Sequence, residues 1–200
     1  MSRLYIISGC NGSGKTTASY TLLPELLSCT QFVNSDEFAK SLAPFNPEKA
    51  QVSASRYMLL KTRYLFQRHD DFCIETTLAT RSLLKTIQTA RADGYSVTVL
   101  YFWLDSPDRA VDRVRARVEA GGHNIAEETI RRRYYVGLHY FFRFYAPACD
   151  RWILADNSII PFTVVAEGTP EGVKVYDAGK YELIQSQNDR FESYIGFKEK

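Results

Sequence analysis

Gly9-Cys10-Asn11-Gly12-Ser13-Gly14-Lys15-Thr16-Thr17 matches G-x-x-x-x-G-K-[ST], the pattern of a phosphate-binding loop, and no other stretch constrains the architecture as strongly. Its flanks agree with the match. Arg3-Leu4-Tyr5-Ile6-Ile7-Ser8 reads as a short buried strand feeding the loop, and residues 16–27 read as a helix leaving it, kinked or ended near Pro24. Gly9, Gly12 and Gly14 permit backbone conformations closed to other residues, so consecutive N–H groups can face a phosphate. The helix that follows presents its positive end to the same anion. Lys15 is expected to reach the β- and γ-phosphates, and the Thr16 hydroxyl to sit on Mg²⁺. The whole run from Gly9 through Cys10, Asn11, Gly12, Ser13, Gly14, Lys15 and Thr16 to Thr17 is therefore expected to bind a nucleoside triphosphate.

Two hundred residues suit one α/β domain, and 45% apolar with 24% charged residues is ordinary for a folded chain. A net charge of +2 gives no reason to expect nucleic acid or membrane as a partner. There is no apolar run of about 18 residues and no signal peptide, so a cytoplasmic location is the expectation. Cys10, Cys29, Cys73 and Cys149 are scattered without C-x-x-C spacing, which argues against a zinc site or a disulfide framework.

Residues 30–34 read as a second strand, with Asp36 just past its carboxyl end, where open α/β sheets bind ligands. Ser35 or Asp36 can also cap a short helix over 37–42. A long helix over 48–68 follows, with Val52, Tyr57, Leu60, Tyr64 and Leu65 available for a buried face. Phe72-Cys73-Ile74 is a compact third strand, ending in Glu75-Thr76-Thr77, so a second carboxylate points to the same crevice. Residues 82–92 are helical and stop at Asp93-Gly94; residues 97–104, the longest apolar run, form a central strand buried on both faces.

Ser106 and Pro107 suit the N-cap and first position of the next helix, which carries Val111, Val114 and Val118 on one face and Arg109, Arg113 and Arg117 on another. Gly121-Gly122 ends it. A further helix opens at Asn124 with Glu127 completing a capping box, and its apolar stripe is Ile130, Tyr134, Leu138 and Phe141. Arg131, Arg132 and Arg133 lie about 100° apart around it, so at most two can serve one site. Two arginine-rich helices joined at a glycine corner suit the lid of a phosphoryl-transfer enzyme, because guanidinium groups stabilise charge on the transferred oxygens. Residues 150–155 are a fifth strand, followed by the loop Asp156-Asn157-Ser158, for which contact with a nucleotide base is open and not indicated by the sequence. Residues 162–166 and 173–176 read as a hairpin, 181–184 as a further strand, and the tail from Gln185 as a polar, loosely packed end.

In the order Gly9 to Thr17, Asn34-Ser35-Asp36-Glu37-Phe38, Glu75-Thr76-Thr77 and Gly121-Gly122-His123, the chain resembles the zeta-toxin family, especially its chromosomally encoded branch, over about residues 1–158. The resemblance implies a kinase-like P-loop fold and a donor ATP or GTP with Mg²⁺. It implies UDP-N-acetylglucosamine as acceptor and a separate antitoxin protein as partner. It makes Lys15 and Thr16 the phosphate and magnesium residues, Asp36 the general base, and Glu75 the carboxylate holding the sugar, with Thr76 beside it. One lid arginine corresponds to Arg113 or Arg117. The second falls near His123, where a histidine donates weakly at neutral pH, so Arg132 or Arg133 is expected to reach in instead.

The fold expected from all this is α/β: a P-loop kinase-like, mostly parallel five-stranded sheet flanked by helices. A single domain spans 1–200, with an arginine-rich helical lid at about 106–146 and a small C-terminal β extension at about 159–200. The leading expectation for function is a small-molecule kinase. A nucleotide-dependent switch and a kinase with another acceptor stay open, although a switch needs no base for an acceptor hydroxyl, which favours the kinase.

Overall fold

The structure, a computed structural model, describes residues 1–25, 28–122, 124–189 and 191. Seven strands form one sheet in the order β2-β3-β1-β4-β5-β6-β7. These are β1 (Arg3–Ser8), β2 (Gln31–Val33), β3 (Phe72–Thr76), β4 (Ser96–Trp103), β5 (Arg151–Asp156), β6 (Thr163–Thr169) and β7 (Gly172–Val175). β1 to β5 pair in parallel, whereas β6 joins β5 antiparallel and β7 closes a hairpin on β6. The helices are α1 (Lys15–Glu25), α2 (Ser35–Leu42), α3 (Gln51–Arg68), α4 (Leu83–Ala92), α5 (Pro107–Glu119), α6 (Glu127–Tyr140) and α7 (Ala178–Asp189).

Alternation along the strands explains the layers. Leu4, Ile6, Phe72, Ile74, Val97, Val99, Tyr101 and Leu154 belong to the larger core, which also takes in Leu65, Ile87, Val111, Val114, Ile130, Tyr134 and Leu138 from the helices. Tyr5, Ile7, Cys73, Leu100, Phe102 and Ala155 point the other way and pack with Ala18 of α1. Both faces of β4 are thus covered, and its sequence reads as an unbroken apolar run.

Several local expectations meet the structure directly. Ser106 accepts from the Arg109 N–H and Pro107 opens α5, while Ile130, Tyr134, Leu138 and Phe141 are all buried. The five expected parallel strands are present, and the C-terminal hairpin extends the same sheet to seven strands as β6 and β7. Others need correcting. Residues 181–184 lie in α7, where Ile184 is buried against the core, and are not a strand. Residues 185–189 continue that helix; the rest of the expected tail lies outside the described residues except for Phe191, which is buried. The first helix runs through Pro24 to Glu25, and its expected end at 26–27 lies outside the described residues.

The long helix α3 buries Ala54 and Leu65, whereas Val52, Tyr57, Leu60 and Tyr64 are exposed. Apolar residues occur all round this helix, so periodicity does not choose the face. The choice falls to Ala54, whose small side chain lets α2 approach: Ala39, Ala50 and Ala54 form a tight cluster, with Phe38 stacked on Tyr57 at 3.7 Å. The capping box is also absent. Ala126 stands at the N-cap of α6 without a side-chain bond, and Glu127 instead accepts from Arg131, one turn later at 2.9 Å.

Candidate active site

The carboxyl ends of β1, β2, β3 and β5 open onto one cavity of about 610 Å³. Parallel register sets its floor. Ile7 pairs with Glu75 and Val33 with Ile74, so the phosphate-binding loop, Glu75 and the residue after β2 arrive side by side. Gly12, Gly14, Lys15, Thr16, Asp36, Glu75, Thr76, Arg113 and Arg117 all line the cavity, together with Asn11 and Thr17.

The loop is held from two directions. Gly12 has φ +81°, and a Cβ there would lie 2.6 Å from the carbonyl oxygen of Ala110 on α5. From the other side, the Asn157 amide donates to the Ser13 carbonyl at 2.7 Å. Gly12→Ala is expected to cost about 2 kcal/mol of stability, from the left-handed backbone and the clash together, read as a lower urea midpoint. An unchanged midpoint would mean that the loop does not hold this conformation.

Lys15 is 7% exposed and donates to the Cys10 carbonyl at 2.8 Å. Burial lowers its pKa, and the charge of Glu75 is the strongest influence acting the other way. The Thr16 hydroxyl lies 2.9 Å from both Glu75 oxygens, and the Asn34 amide donates to Glu75 Oε2 at 2.9 Å. Burial raises the Glu75 pKa, with Lys15 as the main opposing influence. A magnesium ion takes hard oxygen ligands, one or two from protein and the rest from phosphates and water. A threonine hydroxyl and a carboxylate meeting beside the loop fit that demand; among the described residues there is no cluster of three or more acidic, cysteine or histidine ligands.

Asp36 is placed differently from Glu75. It sits in the first turn of α2, exposed to the cavity, and no side-chain donor holds its carboxylate among the described residues. Its backbone N–H, with that of Glu37, is capped by the Asn34 oxygen at 2.9 and 3.2 Å. The cap is therefore Asn34, not Ser35 or Asp36.

A profile of the family described as "AAA domain" matches residues 4–134. The chain belongs to that family. An uncharacterized protein of Haemophilus influenzae is 32% identical to this AAA-domain chain over 131 residues, 63% of the chain and 88% of that protein. Among solved structures, the AvrRxo1-ORF1:AvrRxo1-ORF2 complex with sulphate ions superposes with a TM-score of 0.76 at 18% identity, over 100% of this chain and 73% of that one. The same pair with ATP gives 0.72 at 19% identity, over 94% and 64%. The PezAT chromosomal toxin–antitoxin system of Streptococcus pneumoniae gives 0.66 at 15% identity, over 98% and 88%. At these identities the likeness is one of fold alone: an α/β fold with a mostly parallel sheet flanked by helices.

Within this AAA-domain fold the arginines sort by contact. Arg113 donates to the Ser158 carbonyl at 2.9 Å, and Arg117 stands on the cavity wall one turn further along α5. Arg109 is drawn away from the cavity into a pair with Asp105 at 2.6 Å, and Arg131 ties α6 to Asp108 at 2.5 Å. Neither of the two candidates on α6 is among the residues lining the cavity, but Arg132 is exposed, whereas Arg133 is half-buried and donates to Asn11 Oδ1 of the loop at 3.0 Å. Burial lowers the Arg133 pKa, and the negative charge of Asp36 acts to raise it, so the two side chains lie within electrostatic reach. Of the two, Arg133 is the one that contacts the phosphate-binding loop. Close packing selects Arg133: a Cβ on Gly137, one turn later, would lie 2.5 Å from the Thr77 carbonyl, so this side of α6 is pressed against the loop after β3. His123 lies outside the described residues.

Gly9, Cys10 and Ser13 belong to the loop but not to the cavity wall. Cys10 is buried and its thiol is pushed up to about 11, mainly by desolvation, so it is no nucleophile. Sequence reasoning assigned no role to Lys40 and Gln51, which also line the cavity, nor to the dual contacts of Asn34. Asparagine at a strand end before a short helix is a capping signal. Its second contact, on Glu75, has no local signature.

Proposed function

We propose that this chain is a kinase that transfers the γ-phosphate of ATP or GTP to a hydroxyl of a small-molecule acceptor, with UDP-N-acetylglucosamine the first candidate. The observation that carries the reading is the division of labour between two carboxylates in one cavity: Glu75 is held by Thr16 and Asn34, while Asp36 faces the cavity with no donor on it among the described residues. An alcohol is a weak nucleophile at neutral pH, and Asp36 is placed to take its proton during attack.

Lys15 and the loop amides would bind the phosphates, and Arg113, Arg117 and Arg133 would stabilise the oxygens of the phosphoryl group in transfer. Thr16 and Glu75 would hold Mg²⁺, which when bound supplies charge neutralisation at the β- and γ-phosphates. Glu75 and Thr76 would orient the acceptor. The fold likeness to a pair solved with ATP supports the donor. Likeness to a toxin–antitoxin system supports a zeta-toxin-like chain with a separate antitoxin-type protein as partner; the chain would form one domain, with residues 106–146 as its lid.

The test is mass spectrometry of UDP-N-acetylglucosamine incubated with the protein, ATP and Mg²⁺. One added phosphate is expected. No addition, with ATP consumed in a metabolite extract, would retire this acceptor and keep the kinase; ATP bound but transferred to nothing would move the reading to a nucleotide-dependent switch.

A further inference from the structure

The Asn34 side chain faces two ways. Its Nδ2 donates to Glu75 Oε2 at 2.9 Å, and its Oδ1 accepts from the N–H of Asp36 at 2.9 Å and of Glu37 at 3.2 Å. A carboxylate only accepts and a backbone N–H only donates, so no other orientation of the amide satisfies both ends. The Thr16 hydroxyl, 2.9 Å from Glu75, extends the line of hydrogen bonds into the phosphate-binding loop.

We propose that Asn34 is a positioning residue that sets Asp36 against the phosphate-binding loop by joining the Glu75 carboxylate to the first turn of α2. The proposal rests on the kinase reading for what Asp36 does, but not for how it is held. Helix capping alone does not account for the contact. A cap requires only an oxygen, which aspartate or serine supplies equally well, whereas the bond to Glu75 requires a donor on the same side chain. Register provides the opportunity: Val33 pairs with Ile74, so the residues that follow them, Asn34 and Glu75, emerge together. Asn34 is also the donor that stays on Glu75 whichever way the Thr16 hydroxyl turns.

Asp36 depends on this arrangement because nothing among the described residues holds its carboxylate. The backbone of α2 alone places it. That helix is steadied further by Tyr20 donating to Glu37 at 2.5 Å and by its alanine contact with α3, but neither reaches Glu75. A displacement of about 1 Å between base and phosphate costs roughly 100-fold in rate, so a bond that fixes this separation acts on turnover rather than on nucleotide affinity.

Two variants separate the halves of the amide. Asn34→Asp keeps the cap and removes the donor, and Asn34→Ala removes both. Each is compared with the wild-type protein for amide hydrogen exchange at Asp36 and Glu37, for Mg²⁺-ATP affinity, and for kcat and KM of phosphoryl transfer to UDP-N-acetylglucosamine, or to water if that acceptor is not used. Asn34→Asp is expected to keep wild-type exchange and ATP affinity while kcat falls about 10- to 100-fold. Asn34→Ala should show the same loss together with faster exchange at both amides. Wild-type kcat in Asn34→Asp would reduce Asn34 to a cap and overturn the proposal. A wild-type chain that turns over no ATP would sink the kinase reading instead. The link is then decided by NMR of Glu75→Gln: the Asn34 side-chain amide and the Asp36 N–H should both move, and unmoved resonances would overturn it.

Discussion

Asp36→Ala is expected to lower phosphoryl transfer by about 10²- to 10⁴-fold while ATP binding persists. The side chain is exposed in the first turn of α2, lines the cavity and contacts no protein donor among the described residues, so its removal leaves no buried group unpaired. Folding should therefore be unchanged, and calorimetric titration with Mg²⁺-ATP should give the wild-type affinity. Glu75 is not expected to substitute, because Thr16 and Asn34 fix its carboxylate beside the loop for the metal and acceptor contacts proposed for it. Near-full transfer by Asp36→Ala would remove the base assignment, and with it the main reason for preferring a kinase to a switch.

Lys15→Ala is expected to weaken both steps, with nucleotide affinity and turnover each falling by about 10²- to 10³-fold. The ammonium is 7% exposed and stands opposite Glu75 and Asp36, in surroundings where its charge is poorly screened by water. A phosphate chain brings the counter-charge that this site otherwise shares among two carboxylates and the Cys10 carbonyl. Lys15→Arg should not rescue, since a planar guanidinium cannot reproduce the compact point charge of an ammonium there. The two variants form a pair of readouts: unchanged ATP affinity in Lys15→Ala would mean that the phosphates bind elsewhere, whatever Asp36→Ala does.

A few residues show how far the amino-acid order reaches. The phosphate-binding loop is legible because its conformation is local: three glycines with positive φ, a lysine and a threonine act within nine consecutive positions. Ser106-Pro107 is legible for the same reason, as a cap and first turn that depend on four residues. Asp36 and Glu75 could be placed in one crevice because both lie at the carboxyl ends of strands in a mostly parallel sheet. Where neighbours in space compete for a side chain, the local signal loses. Glu127 leaves its capping box for Arg131, and residues 181–184 become helix where Ile184 packs into the core.

The order of residues thus carries the α/β class, the loop and the two carboxylates, since each rests on backbone preferences and strand ends only a few positions long. Three-dimensional packing decides the rest. It sets β6 and β7 on the edge of the main sheet, turns Ala54 rather than Leu60 inward on α3, and brings Arg133 rather than Arg132 to Asn11. It also places Asn34 between two residues 41 positions and 2 positions away. Each of these outcomes depends on what stands across a gap of a few ångströms, and that neighbour comes from a distant part of the chain.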